Sequence, residues 1–327
     1  MQDPTNLNDQ FAAPPGFSPA EMPACPNCGK PNAPIRVTCL YCAAALENLT
    51  AGGDAGRLDL TPPEPHENGF SVLILPGASG EVRSAAAVLG RSVDEVGQIV
   101  ATGVPFPVAR LRSMELAITL SGHLKNFGLM CSTLADTELD VKAPPRRIRG
   151  IEFMTERLRM FDFNTTAVFE AAVGDLRLLV AGRHSISRST TSERLKRGKN
   201  DSKKPEESKE QRDEKLLDVY VTGDKRGFRI RTSGFDFSCL GETKTMFASE
   251  NIDLLAEKIE EMRSGIVLDT GYDDLRDLLD PVWELDFHRE AQGLHRSGLG
   301  QLNRQASDVF DNLNQFTKYS RMRNHLL

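Results

Sequence analysis

Apolar positions along the chain change period several times, and each change predicts an element. Phe70 to Leu75 is a short apolar run between Gly69 and Pro76 and reads as a strand. Val82, Ala85, Ala86 and Leu89 then recur at helical spacing, which predicts a helix over Glu81 to Leu89. Ser92 followed by Glu95 has capping-box spacing, and Val93, Val96, Ile99 and Val100 continue a second helix that Gly103 stops. Pro105 and Pro107 predict a loop, with Phe106 either an exposed anchor or a core residue. Ser113 opens a third helix through Met114, Ala117, Ile118 and Leu124, Gly128 closes it, and a strand follows around Leu129 to Leu134.

Beyond Arg146 the pattern shortens to strands: Ile148 to Phe163, Ala167 to Val173, Leu176 to Arg183, Leu217 to Thr222, Phe228 to Thr232 and Phe235 to Leu240. Gly223 to Gly227 reads as a hairpin turn. Ile252, Leu255, Ala256, Ile259 and Met262 then form one helical stripe over Glu250 to Arg263. Between two strands, Ser185 to Lys215 offers Ser, Thr, Lys, Arg and Glu with little to bury, which predicts a disordered insertion. Asp269 to Glu290 is acidic around Leu275, Leu278, Leu279 and Trp283. Leu299, Leu302, Ala306, Val309, Leu313 and Phe316 step by three and four, which predicts a helical tail.

The expected organisation is α+β: a disordered leader (1–24), a zinc ribbon (25–47), a linker (48–68), an αβ module (69–142), a β-barrel-like module (146–265, with its insertion at 185–215) and an acidic linker with helical tail (269–327). No apolar run approaches the ~20 residues that cross a bilayer as a helix, so a soluble protein is expected. The leader has no basic start followed by an apolar run, and a cytoplasmic location is the expectation. Forty Lys and Arg against 46 Asp and Glu give a net charge of -6, so the chain as a whole does not attract nucleic acid or anionic lipid.

Chemistry concentrates in Cys25-Pro26-Asn27-Cys28 and Cys39-Leu40-Tyr41-Cys42. Two CxxC knuckles supply the four thiolates that a structural Zn2+ takes, and a closed shell leaves no place for a reacting water. The alternatives are a redox dithiol or an iron-sulfur centre; zinc is favoured because the pattern is paired and no thioredoxin-like βαβ pattern surrounds either CxxC. Cys131 and Cys239 stand alone at apolar positions and read as small core residues. His123, His288 and His295 fall in no metal-ligand or catalytic motif, and no nucleotide loop or nucleophile elbow is present, so no catalytic residues are assigned. Gly77 to Gly80 ahead of a helix is a turn or an anion cradle. The basic residues Arg188, Arg194, Lys196, Arg197, Lys199, Lys203 and Lys204 are followed by Glu206, Glu207, Glu210, Asp213 and Glu214, which reads as a self-neutralising loop.

Glu81-Val82-Arg83, the cap and helix Ser92 to Val100, Gly103 to Val108 and Leu124 to Leu129 together resemble the C-terminal domain of the bacterial ribosomal stalk protein and the related Clp protease adaptor fold. That resemblance implies a fold. Glu95-Val96-Gly97 stands where the stalk family has its basic Glu-Ala-Lys segment, and Leu75 to Gly80 lacks the adaptor's Asn-Asp pair. The strands and closing helix of 146–265 resemble a pleckstrin-homology-like barrel. The segment Gly234 to Gly241 is similar to one in uncharacterised bacterial zinc-ribbon proteins, which implies no activity. The functional expectation is a non-enzymatic cytoplasmic adaptor or scaffold that binds other proteins; the alternative is a nucleic-acid-associated zinc-ribbon protein.

Overall fold

Local capping fixes the first helices. In this computed structural model, which describes residues 24–25, 27–32, 39–42, 58–64, 66–77, 79–195, 206–298 and 301–327, Phe70 to Ala135 forms strand β1 (Phe70–Ile74), helices α1 (Val82–Leu89) and α2 (Val93–Ala101), strand β2 (Phe106–Leu111), helix α3 (Met114–Asn126) and strand β3 (Cys131–Ala135). The Ser92 hydroxyl accepts from the Glu95 N–H at 3.1 Å while the Glu95 carboxylate accepts from the Ser92 N–H at 2.9 Å, so two orphan donors at the start of α2 are satisfied reciprocally. Ser113 does the same for one donor of α3. The strands make an antiparallel sheet in the order β2-β1-β3.

Strand β2 corrects the loop expected at Pro105 to Pro107. It lies at the sheet edge, and its register against β1 shifts between Val72 and Leu73, beside Pro107. An edge and a bulge are where a residue without an N–H is tolerated. Phe106 is fully buried, so it is core rather than an anchor.

After a short helix α4 (Asp136–Leu139), the chain forms strands β4 (Arg146–Phe153), β5 (Arg157–Asp162), β6 (Val168–Ala172), β7 (Leu176–Leu195), β8 (Glu206–Val221) and β9 (Phe228–Arg231), helix α5 (Ala248–Met262), strand β10 (Val267–Asp269), helix α6 (Tyr272–Leu279), strands β11 (Asp286–Gly298) and β12 (Gln301–Asp311), and helix α7 (Leu313–Leu326). These strands build one mixed sheet, β11-β12-β7-β8-β9-β4-β5-β6, with β10 added in parallel to β7 and β4 running parallel to β9. Among the described residues its end strands, β6 and β11, do not pair with each other. The fold is α+β.

Several expectations are corrected. Phe235 to Leu240 is not a strand: Asp236 accepts from the Ser238 N–H at 2.9 Å and starts a 3₁₀ turn over Phe237–Thr243. Residues 185–195 and 206–215 are strands, not a disordered insertion. The β7–β8 ladder continues from Leu176 opposite Val221 to Ser192 opposite Glu206. A ladder is satisfied by backbone groups, and here opposed charges such as Arg188 and Glu210 face each other across it. Residues 196–205 lie outside the described residues. The expected tail helix is strand β12 over Gln301–Asp311, paired with both β7 and β11, and only its last two apolar positions, Leu313 and Phe316, lie on a helix. Leu299 lies outside the described residues, as does the leader up to position 23.

Two apolar layers flank the sheet. On one face Leu179, Leu217, Val219 and Ile230 pack with Ile252, Leu255 and Ile259 of α5 and with Phe237 and Leu240. On the other, Leu178, Val180, Leu216 and Tyr220 join Tyr272, Trp283, Phe316, Tyr319 and Met322, and the same cluster continues into Val72, Leu120 and Leu134 of the small αβ unit. The stretch 269–290, expected as an acidic linker, therefore sends Tyr272, Leu275, Leu279, Val282 and Trp283 into the core, while 287–290 stay exposed. Asp269 accepts from the Tyr319 hydroxyl at 3.0 Å and pairs with Arg323, and the Trp283 indole donates to the Ser71 hydroxyl at 3.1 Å. The linker expected over 48–68 is likewise docked in its second half: Leu58 and Leu60 pack on the core, and the buried Arg110 donates to the carbonyls of Pro63 and Glu67.

Candidate metal centre

The first knuckle is a tight turn in which the Gly29 N–H donates to the Cys25 carbonyl at 2.8 Å and the Cys25 N–H donates to the Lys30 carbonyl at 2.9 Å. Gly29 takes φ +65° there, a conformation a side chain disfavours. Asn32 ties this knuckle to the second one. It is buried, its amide donates to the Lys30 carbonyl at 2.8 Å, and its oxygen accepts from the Leu40 N–H at 2.9 Å.

The clamp brings Cys25, Cys28, Cys39 and Cys42 together, with every sulfur within 4.8 Å of the others. Cys25 and Cys42 stand 3.7 Å apart and Cys28 and Cys39 3.5 Å. A tetrahedral site with metal–sulfur bonds of ~2.3 Å has edges of about 3.8 Å, so the four sulfurs fit a metal ion. Cys25 and Cys39 are buried, while Cys28 and Cys42 face solvent.

The surroundings sort the thiols. Burial opposes ionisation of Cys39, yet N–H groups of Tyr41 and Cys42 and the Asn32 amide bring it down to about 6. At Cys28 a backbone hydrogen bond at Lys30 favours the thiolate, but partial loss of hydration beside the cluster and hydrogen bonds to Cys39, Cys42 and Cys25 outweigh it and push the thiol up to about 12. Four thiolates repel one another without a cation between them, and a metal would relieve that repulsion. Asn32 carries no cysteine or histidine signature, which is why a ligand motif does not reveal it; its place shortly after the first knuckle is the only signal.

The other residues singled out in the sequence are dispersed. Cys131 is buried, which pushes its thiol up to about 11, and burial also raises Cys239. Burial lowers His123, and His288 lies on β11; the His295 side chain lies outside the described residues. A Cβ at Gly80 would lie 2.3 Å from the Phe127 carbonyl, so this glycine serves close packing between α1 and the end of α3 rather than an anion cradle. Arg188 pairs with Glu290 at 3.3 Å. Unforeseen in the sequence is His184, buried with Nε2 2.8 Å from the Asp311 carboxylate and Nδ1 3.2 Å from the Arg231 guanidinium.

Compared with known proteins, the chain matches no family model, no curated protein and no solved structure. Among the described residues no helix is long and apolar enough to cross a membrane.

Proposed function

We propose that the protein is a non-enzymatic cytoplasmic adaptor or scaffold that binds other proteins and holds a structural Zn2+ on Cys25, Cys28, Cys39 and Cys42. The observation that carries this reading is the cluster of four sulfurs at tetrahedral spacing. Four thiolates complete the shell of a structural zinc and leave no position for a substrate. Thiols that stay reduced suit the cytoplasm. Leu40 and Tyr41, between the ligands of the second knuckle, are 62% and 54% exposed, which offers apolar surface on a segment the metal would hold rigid. The strand and helix order of 70–135 supports the stalk-protein-like reading of that unit, and α5 packed on the sheet supports the pleckstrin-homology-like reading of 146–265.

Metal analysis tests the centre. The expected result is one zinc per chain in the wild type and none in the Cys25→Ser/Cys42→Ser variant; stoichiometric zinc in that variant would overturn the assignment. The alternative, a nucleic-acid-associated protein, predicts binding to RNA or DNA at low salt that weakens steeply as salt is added. Absence of such binding, with partner capture reduced by Leu40→Ser/Tyr41→Ser, is the outcome the adaptor reading requires.

A further inference from the structure

A cleft of about 560 Å³ runs along strand β4, lined by Ile151, Glu152 and Phe153 of that strand, by Ser238 and Cys239 of the 3₁₀ turn and by Lys258 of α5. The row of backbone that flanks β4 on this side is incomplete. β9 pairs with β4 in parallel over Arg146–Ile148, and Asp236 bridges it in parallel opposite Gly150. The chain then turns away, because the Asp236 carboxylate caps the Ser238 N–H and starts the 3₁₀ turn. Among the described residues no strand lies beside Ile151–Phe153 on this side, while β5 pairs with them on the other.

Backbone alternation points bonding groups into the cleft. The Met154 N–H donates to the Arg157 carbonyl, on the β5 side, at 3.0 Å, and the Arg149 carbonyl accepts from the Asp236 N–H, on the opposite side, at 2.8 Å. Successive residues of a strand turn their N–H and C=O groups to alternate sides, so the Ile151 carbonyl and the Phe153 N–H face away from β5. One residue laid in parallel opposite Glu152, continuing the row that ends at Asp236, donates to the Ile151 carbonyl and accepts from the Phe153 N–H. Three residues of strand at ~3.3 Å each match the open part of β4.

Charge selects the kind of segment. The carboxylates at the cleft are already engaged: Glu152 pairs with Arg159 at 3.0 Å, and Asp236 accepts from the Ser238 N–H and hydroxyl, both at 2.9 Å. The cations are not neutralised, since among the described residues neither Arg149 nor Lys258 makes an ion pair. Arg149 is exposed and donates to the Asp162 carbonyl at 3.2 Å. Lys258 is half-buried, donates to the Cys239 carbonyl at 2.7 Å and stands 4.7 Å from the centroid of the Phe153 ring. Two cations held by carbonyls, beside carboxylates with partners of their own, complement an acidic ligand.

We propose that an extended acidic segment of a partner protein docks here as an added strand beside Ile151–Phe153, its carboxylates meeting Arg149 and Lys258. Main-chain bonds to a strand edge supply affinity in this mode and the flanking charges supply specificity. The proposal rests on the adaptor reading and gives it a class of partner, on a surface separate from the metal centre.

The test uses the full chain and a fluorescein-labelled heptapeptide, Val-Glu-Val-Glu-Val-Glu-Val, read by anisotropy and by amide hydrogen exchange. The expected result is saturable binding that slows exchange at Phe153. Binding should weaken severalfold in Arg149→Glu, whose side chain is exposed, and in Lys258→Met, which keeps an unbranched stem against Phe153. The same peptide N-methylated along its backbone has no N–H to donate and should not bind. Absence of saturable binding, indifference to both substitutions, or equal binding of the methylated peptide would overturn the proposal. So would a concentration-dependent dimer that Arg149→Glu dissolves, because the occupant would then be a second copy of this chain. Peptide affinity reads this edge, whereas zinc content and the Leu40→Ser/Tyr41→Ser variant read the metal centre and its knuckle, so either can fail alone.

Discussion

Replacing Phe316 by alanine tests whether α7 belongs to the core. The ring is fully buried and lies edge-on to Tyr272, with centroids 4.9 Å apart at 75°. The Arg229 guanidinium stands 4.9 Å from the ring centroid, and a Cβ at Gly182 would come within 2.6 Å of the ring, so this strand position has no side chain that could fill the space. Deleting a buried phenyl group costs about 3–5 kcal/mol through lost transfer energy and the cavity left behind. The upper half of that range is expected here, because Arg229 loses its aromatic partner yet stays fixed by two 2.7 Å hydrogen bonds to Asp218. Phe310 is the control: it is 41% exposed on β12 and stacks on Phe287 with ring centroids 5.2 Å apart, so Phe310→Ala should cost about 1 kcal/mol or less. The assay is urea unfolding followed by fluorescence of Trp283, the single tryptophan, which is buried and whose carbonyl accepts from the Gln315 amide of α7. A loss below about 1 kcal/mol for Phe316→Ala, or no greater than for Phe310→Ala, would refute the placement of α7 in the core.

Two further outcomes follow from the packing and the charges. Burial alone would raise the Glu214 carboxyl, but hydrogen bonds from Arg231 and Ser233 outweigh it and hold it below the usual carboxylate range. A carboxyl depressed in the folded state contributes stability that is complete above its unfolded pKa, about 4.3, and is lost as pH falls through the lower folded value. Acid titration of stability in Glu214→Gln should therefore be shallower than in the wild type below about pH 4, and identical curves would contradict this. Gly80→Ala places a methyl group 2.3 Å from the Phe127 carbonyl and should destabilise by about 1–3 kcal/mol in the same urea assay, whereas a neutral effect would mean that the contact is absent.

Legibility from the sequence tracked the range of the interaction involved. The capping box at Ser92, the close of α3 at Gly128 and the paired knuckles depend on neighbours a few residues away, and the chain spells them out. The meeting of Cys25, Cys28, Cys39 and Cys42 was legible for the same reason: a ligand motif is local chemistry repeated twice. What the sequence did not show were the consequences of contacts between distant segments. A Ser-, Thr- and charge-rich stretch reads as solvated because it has little to bury, yet 185–195 and 206–215 are ordered by backbone pairing with each other and with β12, which side-chain polarity does not report. The three-and-four spacing of Leu302, Ala306 and Val309 suits a helix, but those residues lie between two strands whose open edges take their N–H and C=O groups.

The sequence by itself determined the α+β character, the helix boundaries set by caps and glycines, and the four-cysteine cluster, because each rests on side chains close in the chain. Only the tertiary structure decided that apolar residues of the acidic stretch enter the core, that α7 joins the small αβ unit to the large sheet, and that the open edge of β4 and Lys258 of α5 line one cleft. Those arrangements join residues far apart in the chain, as in the bond from Trp283 to Ser71, 212 positions away. The physical reason is that a polar or charged residue looks the same in sequence whether water or a distant partner satisfies it, and only the fold supplies the partner.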